Sequence, residues 1–207
     1  MLKKIKLFFF AISLPLSVMA SEFEEGKHYI TLDTPKSKAP QVTEFFSFYC
    51  PHCFKFEPVA KALEESLPAG AQFKKSHVNF LGGKSTQAQR NLSYAYLIAK
   101  QFDKEKDLTA KLFDSIHVKR APLINVDDIK TLFELNGITA KQYDDALSSM
   151  PIISAEKMLD DSQIKYTALG ALKGVPTFIV NDKYQIVFKM IRNQEQLNKL
   201  VAYLISK

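Results

Sequence analysis

The chain has 207 residues but only two cysteines, Cys50 and Cys53, which are separated by Pro51 and His52. Three kinds of site fit this pair: a structural disulfide, part of a zinc site, or a redox centre. A disulfide closing about four residues restricts the unfolded chain by only about 2 kcal/mol, so stability is a weak reason for the pair. No second closely spaced pair of Cys or His accompanies His52 and His77 to complete a zinc tetrahedron. We therefore favour the redox centre, with no metal.

Two intervening residues suit thiol–disulfide exchange for a physical reason. One thiolate attacks a foreign disulfide, and a second thiol must lie close enough to resolve the mixed intermediate. If a helix begins at Pro51, a favoured first helical residue, Cys50 lies beside the unpaired N–H groups of the helix start. Those groups and the helix dipole stabilise a thiolate. A positively charged His52 would add to this and favour the dithiol, which predicts an oxidant; the alternative is that His52 is a solvated residue at the helix start.

The elements around the pair predict an α/β protein. Residues 41–49 are rich in aromatic and β-branched residues and apolar at both parities, as in a central strand covered on both faces. The helix after Pro51 is expected to end near Gly70, and Gly82-Gly83 should stop the following strand. Further strands are predicted at residues 29–32, 73–80, 175–180 and 184–190, with a turn at Asn181-Asp182.

Helical spacing replaces the strand pattern after Gly83. Apolar residues recur every three or four positions, and Asp127 and Thr139 are placed to cap two of the helices. A last helix follows the final strand. The sequence thus predicts one sheet domain, residues 21–83 plus 167–207, with an all-helical insertion at residues 84–166.

Composition and the N-terminus indicate the compartment. With 46% hydrophobic, 12% aromatic and 24% charged residues, the chain is neither collagen-like, disordered nor a polytopic membrane protein. Residues 1–20 carry Lys3, Lys4 and Lys6, then an apolar run ending at Ala20, which is typical of a cleaved signal peptide; an uncleaved anchor is the alternative. Without residues 1–20 the chain has 25 basic and 22 acidic residues, a net charge of +3. This charge is too small to indicate a nucleic-acid-binding surface. We expect a monomer in an oxidising compartment.

Three blocks of sequence point to a family. They are Glu-Phe-Phe-Ser-Phe-Tyr-Cys-Pro-His-Cys at residues 44–53, His-Val-Asn-Phe-Leu-Gly-Gly at 77–83 and Gly-Val-Pro-Thr at 174–177. In this order they resemble the DsbA family of periplasmic thiol:disulfide interchange proteins, which combine a thioredoxin-like fold with a helical insertion. The resemblance covers nearly all of the chain after residue 20. It implies donation of the Cys50–Cys53 disulfide to newly secreted proteins and reoxidation by a DsbB-type, quinone-linked membrane partner. No bound cofactor is implied, because the cysteines carry the electrons.

The same resemblance implies roles for single residues. Cys50 would be the exposed nucleophile and Cys53 the shielded resolving thiol. Val175 and Pro176 would form a cis peptide facing the pair, leaving the Val175 backbone free to bond an extended substrate segment. Glu44 would be a buried acid that relays protons to Cys53, its pKa raised by desolvation; the alternative is a solvated residue at a sheet edge.

Three other residues near these blocks receive simpler interpretations. Lys75 lies at a position where the family has a basic residue; the alternative is a solvated lysine on a strand. His77 is expected to be a core histidine, and Glu57 is expected to be a charge on the surface. The chain also departs from the family pattern, since it has no tryptophan and differs at residues 84–90, which leaves partner preference open. The rival functions are a disulfide isomerase or reductase on the same fold and a chaperone-like binding module.

Overall fold

The structure, a computed structural model, describes residues 22–207, so the predicted signal peptide lies outside the described part. No helix within residues 22–207 is long and apolar enough to cross a membrane. The strands are β1 (Tyr29–Thr31), β2 (Gln41–Phe46), β3 (Gln72–His77), β4 (Thr177–Val180) and β5 (Tyr184–Ile186). The helices are α1 (Pro51–Glu65), α2 (Thr86–Gln101), α3 (Glu105–His117), α4 (Val126–Glu134), α5 (Ala140–Leu147), α6 (Met150–Ala168) and α7 (Gln194–Ser206).

The five strands form one mixed sheet in the order β1-β5-β4-β2-β3. β2 and β3 run parallel, and the other neighbours are antiparallel. One face packs against α1 and α7 around Phe178, and the other is covered by the end of α6, where the ring of Tyr166 lies 5.2 Å from that of Phe45. β2 lies between two strands and two helical layers, which explains why its residues are apolar at both odd and even positions. The sheet with five helices between β3 and β4 is the predicted α/β architecture with a helical insertion.

Helices α2 to α6 stand between β3 and β4 in the chain. They are packed around an apolar cluster that also holds Phe46, Phe48 and both cysteines. The rings of Tyr96 and Phe113 lie 5.6 and 6.0 Å from the ring of Phe46. The helical insertion therefore shares its core with the end of β2 and the start of α1.

Several local predictions were wrong. The strands predicted at residues 41–49 and 73–80 end at Phe46 and His77, and the helix expected to end near Gly70 ends at Glu65. Asn125 rather than Asp127 caps α4, because its side chain accepts a hydrogen bond from the Asp128 backbone N–H at 3.2 Å. The strand predicted at residues 184–190 ends at Ile186, and a 3-10 turn (Phe188–Met190) follows. That turn places the Phe188 ring 5.0 and 5.2 Å from those of Phe56 and Phe178, so core packing takes the chain out of the sheet.

Candidate active site

The first cysteine is the N-cap of α1. Cys50 has extended backbone angles (φ −87°, ψ 113°), Pro51 is the first helical residue, and the Cys50 sulfur accepts a hydrogen bond from the Cys53 N–H at 3.3 Å. The N-cap side chain normally supplies an oxygen at this point to satisfy an orphan helical donor. Here a sulfur takes that place, where the helix dipole favours negative charge. The helix start therefore places an N–H donor and the positive end of the helix dipole at the Cys50 sulfur.

The two cysteines differ in solvent exposure. Cys53 is fully buried, whereas Cys50 keeps 5% of its surface, less than we expected of an exposed nucleophile. Burial raises the pKa of the Cys53 thiol, and the neighbouring Cys50 and Glu44 raise it further. Cys53 consequently stays protonated when both cysteines are reduced, as they are in this structure. Of the two, only Cys50 is accessible from solvent.

The loop before β4 faces the cysteines. The Val175–Pro176 peptide is cis, and the Val175 carbonyl accepts a hydrogen bond from the Cys50 thiol at 3.4 Å. Thr177 holds the loop by donating its hydroxyl to the Gly174 carbonyl at 2.7 Å. The Val175 N–H forms no hydrogen bond with any residue from 22 to 207. An open groove of about 460 Å³ runs beside this loop and is lined by Ile30, Gly174, Val175, Pro176, Gln185 and Val187.

Glu44 is buried beneath the helix that carries the pair. It lies on β2, is inaccessible to solvent, and pairs in register with Lys75 of β3. Lys75 Nζ lies 3.0 Å from Glu44 Oε2, while Glu44 Oε1 has no hydrogen-bond partner within residues 22–207. Desolvation raises the pKa of Glu44 to about 7, although Lys75 lowers it in part. Of the two interpretations of Glu44, the structure supports the buried acid.

Glu57 is not the surface charge that we predicted. It lies one turn after Cys53 on α1, and its carboxylate accepts a hydrogen bond from Lys75. Burial disfavours the charge on Lys75, but Glu44 and Glu57 outweigh it and raise the Lys75 pKa. Glu57 and Lys75 also line a cavity of about 580 Å³ between α1, β3 and α3. The buried Glu44 is thus connected to a solvent-accessible cavity through two charged side chains.

The two histidines of the sequence blocks lie in different environments. His52 is exposed at the helix start and makes no hydrogen bond or ion pair with the described residues. His77 is buried; its Nε2 accepts from the Phe48 N–H at 3.2 Å, and its Nδ1 lies 2.8 Å from the Ser93 hydroxyl. Burial lowers the pKa of His77 to about 3, so it is neutral. The prediction of a core histidine is confirmed.

Sequence reasoning missed two residues beside the cysteines. The Tyr49 hydroxyl donates to the Pro122 carbonyl at 2.9 Å, which ties the residue before Cys50 to the loop between α3 and α4. His117 Nε2 lies 2.8 Å from the Phe48 carbonyl, and its ring stacks on Phe54 at 5.1 Å. Both contacts join segments about 70 residues apart, so no local pattern could have shown them.

A sheet of this topology, with a Cys-Pro-His-Cys helix start opposite a cis proline, defines a thioredoxin-fold disulfide oxidoreductase. Residues 41–204 match the model of the DSBA-like thioredoxin domain. The chain therefore belongs to the DsbA family, and it is a thiol:disulfide interchange enzyme. In the described part of the chain, no group of three or more His, Cys, Asp or Glu is arranged to hold a metal ion.

Relatives support this assignment over most of the chain. It is 38% identical to the thiol:disulfide interchange protein DsbA of Escherichia coli K12 and 37% identical to that of Pectobacterium carotovorum, each over 89% of this chain and 86% of the relative. Among solved structures, Proteus mirabilis DsbA in complex with a non-covalently bound peptide is 29% identical, with a TM-score of 0.79 over 90% of this chain and all of that one. The Klebsiella pneumoniae enzyme, 25% identical, has the same TM-score over 91% of this chain.

Proposed function

We propose that the protein is a periplasmic oxidant that donates a Cys50–Cys53 disulfide to newly secreted polypeptides and is reoxidised by a DsbB-type, quinone-linked membrane partner. The observation that carries the proposal is the Cys50 sulfur serving as the N-cap of α1, at 3.3 Å from the Cys53 N–H. A thiolate stabilised in the reduced protein favours the dithiol, so the disulfide tends to be given away.

The reaction proceeds in two exchanges. A substrate thiolate attacks Cys50 Sγ, the Cys50–Cys53 bond breaks, and Cys53 leaves with the electron pair. A second substrate thiolate then attacks the substrate sulfur of the mixed disulfide, which forms the substrate disulfide and releases Cys50 as a thiolate. The substrate loses two electrons and two protons. The enzyme gains both electrons and one proton, held by Cys53, and the other proton goes to solvent.

Attack on Cys50 follows from access and from the leaving group. Cys53 is fully buried, so an incoming thiolate reaches only Cys50. The departing Cys53 sulfur takes a proton readily, because burial has raised its pKa. We assign Glu44 as the donor, since its pKa of about 7 keeps a large share of it protonated near neutral pH. Lys75 and Glu57 would return the proton from the cavity.

The substrate segment is proposed to pair with the loop at Val175. The Val175 N–H, which has no hydrogen-bond partner among the described residues, and the carbonyl already bonded to the Cys50 thiol can pair with an extended strand next to the nucleophile. Pro176 has no N–H, so normal pairing within the sheet stops there. The groove beside the loop would take the flanking side chains of a substrate or a loop of the membrane partner. His52 would add positive charge near the thiolate, and Pro51 sets the helix start.

Substitution of Cys50 by serine tests the enzyme against a binding module. We expect Cys50→Ser to abolish oxidation of a reduced dithiol peptide, measured by loss of free thiols, because no sulfur remains to form the mixed disulfide. Cys53→Ser is the matched variant: given a peptide whose single cysteine is activated as a mixed disulfide with thionitrobenzoate, its Cys50 thiolate should displace thionitrobenzoate and hold the peptide as a stable mixed disulfide, visible by mass spectrometry, because no second thiol can release it. Full oxidation by Cys50→Ser would contradict the proposal. A wild-type protein that binds the peptide without oxidising it would support a chaperone-like module.

A further inference from the structure

The rim of the site carries an exposed lysine that the reaction does not use. Lys84 follows the Gly82-Gly83 turn and is exposed, and its ammonium lies over the ring of Tyr49, 5.0 Å from the centroid. Tyr49 directly precedes Cys50 in the chain. No carboxylate within residues 22–207 forms an ion pair with Lys84. The Lys84 ammonium is therefore held by a cation–π interaction, which is weak at an exposed position.

The backbone around Lys84 is held in place from beneath. Gln89, which is buried, accepts a hydrogen bond from the Leu81 N–H at 2.9 Å and donates to the carbonyls of Leu81 and Lys84 at 3.1 and 3.3 Å. Ser85 caps α2 immediately after Lys84. The lysine therefore extends from a fixed point beside the site rather than from a free loop.

The segments that meet at Tyr49 are positively charged. The Tyr49 hydroxyl is bonded to the loop of residues 118–124, which contains Lys119 and Arg120, and its chain continues into the helix start that carries His52 and Lys55. Residues 47–56, 78–92 and 115–126 contain no Asp or Glu. Lys119 is paired with Asp114 at 2.9 Å, whereas Lys84, Lys55 and Arg120 have no ion pair within the described residues. This rim repels cations and attracts carboxylates.

We propose that Lys84 is a specificity-determining residue that favours substrate polypeptides with an aspartate or glutamate next to the reacting cysteine. The inference rests on the proposed disulfide donation to polypeptides. In the mixed disulfide the substrate sulfur is bonded to Cys50, so residues one or two positions away lie within about 7 Å along the substrate chain. Because the Lys84 ammonium lies over the ring of Tyr49, the residue before Cys50, a carboxylate at such a position would draw it from the Tyr49 face into an ion pair.

Two dithiol peptides that differ only in Asp or Lys beside the first cysteine test this. We expect the wild-type protein to oxidise the Asp peptide with a kcat/KM about fivefold higher at low ionic strength, the upper range for an exposed ion pair. The preference should shrink in about 0.5 M salt, because the screening length falls below the span of the contact. Lys84→Gln should reduce the ratio to about twofold or less, and Lys84→Glu should reverse it.

The ratio of two peptides on one protein cancels any general loss of activity or stability. Lys141→Gln, which removes an exposed lysine on α5, is the matched control and should keep the wild-type ratio. A ratio that is the same in wild type, Lys84→Gln and Lys84→Glu would overturn the inference, as would an equal change in Lys141→Gln. Failure of the wild-type protein to oxidise either peptide would instead overturn the proposed function.

Discussion

Glu44 shows how burial fixes the chemistry of a single residue. Its carboxyl group is held on β2 with Lys75 as an ion-pair partner, and neither of its oxygens has a hydrogen-bond partner among residues 22–207. An ionised carboxylate is costly in such a place, so the proton is retained to a higher pH than in water. The pKa of Glu44 rises from 4.5 to about 7, into the range where an acid both gives and takes protons at neutral pH.

This shift predicts a pH-dependent stability difference for Glu44→Gln. The folded protein keeps the Glu44 proton up to about pH 7, while the unfolded chain loses it above about pH 4.5. The contribution of Glu44 to stability is therefore present below pH 4.5 and lost as the pH rises to 7. Relative to wild type, the variant should gain about 3 kcal/mol in unfolding free energy between pH 4 and pH 8.

Urea unfolding of both proteins at several pH values measures this difference. Taking the difference removes the opposite trend of His77, whose lowered pKa adds stability as the pH rises from about 3 to 6.5. Asp145→Asn, an exposed acid on α5, is the matched control and should show a nearly constant difference. A Glu44→Gln curve parallel to wild type would mean that Glu44 ionises as it does in water.

At the scale of elements, the end of β2 joins the sheet to the helical insertion. Phe46 is fully buried, and its ring lies 5.1 Å from Phe48, 5.3 Å from His77 and 5.6 Å from Tyr96. The same cluster contains both cysteines. Packing at this point therefore supports both the junction of the two parts and the backbone that precedes Cys50.

Phe46→Ala should lower the unfolding free energy by about 3–5 kcal/mol, the usual cost of emptying a buried phenylalanine site. Phe80→Ala, at a ring that is 38% exposed, is the matched control and should cost much less. Guanidinium unfolding monitored by circular dichroism compares them. Equal losses for the two variants would show that the cluster around Phe46 does not hold the insertion in place.

Sequence patterns gave the elements wherever the signal was local. The central strand, the proline at the start of α1 and the Thr139 cap of α5, which forms a full capping box, follow from neighbouring residues. The end of β5 could not be predicted, because Phe188 leaves the sheet to pack against residues far away in the chain. The same holds for the site: Cys50 and Cys53 were evident, but the role of Glu57 depends on Lys75, which approaches it only in the fold.

At the scale of the whole molecule, the start of α1, the loop before β4 and the helical insertion all contact Cys50. The start of α1 gives the Cys50 sulfur a hydrogen bond at 3.3 Å, the loop before β4 faces it with the Val175 carbonyl, and the helical insertion packs against it. Cys53, fully buried, cannot share the negative charge. We propose that the hydrogen bond and the dipole at the start of α1 favour the reduced protein over the disulfide form, which makes the molecule an oxidant.

Equilibration of the protein with glutathione buffers of known ratio tests this claim most directly. The reduced fraction, read from the mass added by thiol alkylation, gives the reduction potential of the Cys50–Cys53 pair. We predict a value more positive than about −180 mV, that of protein disulfide isomerase. A value near about −270 mV, that of thioredoxin, would contradict a donor of disulfides and make the protein a reductase.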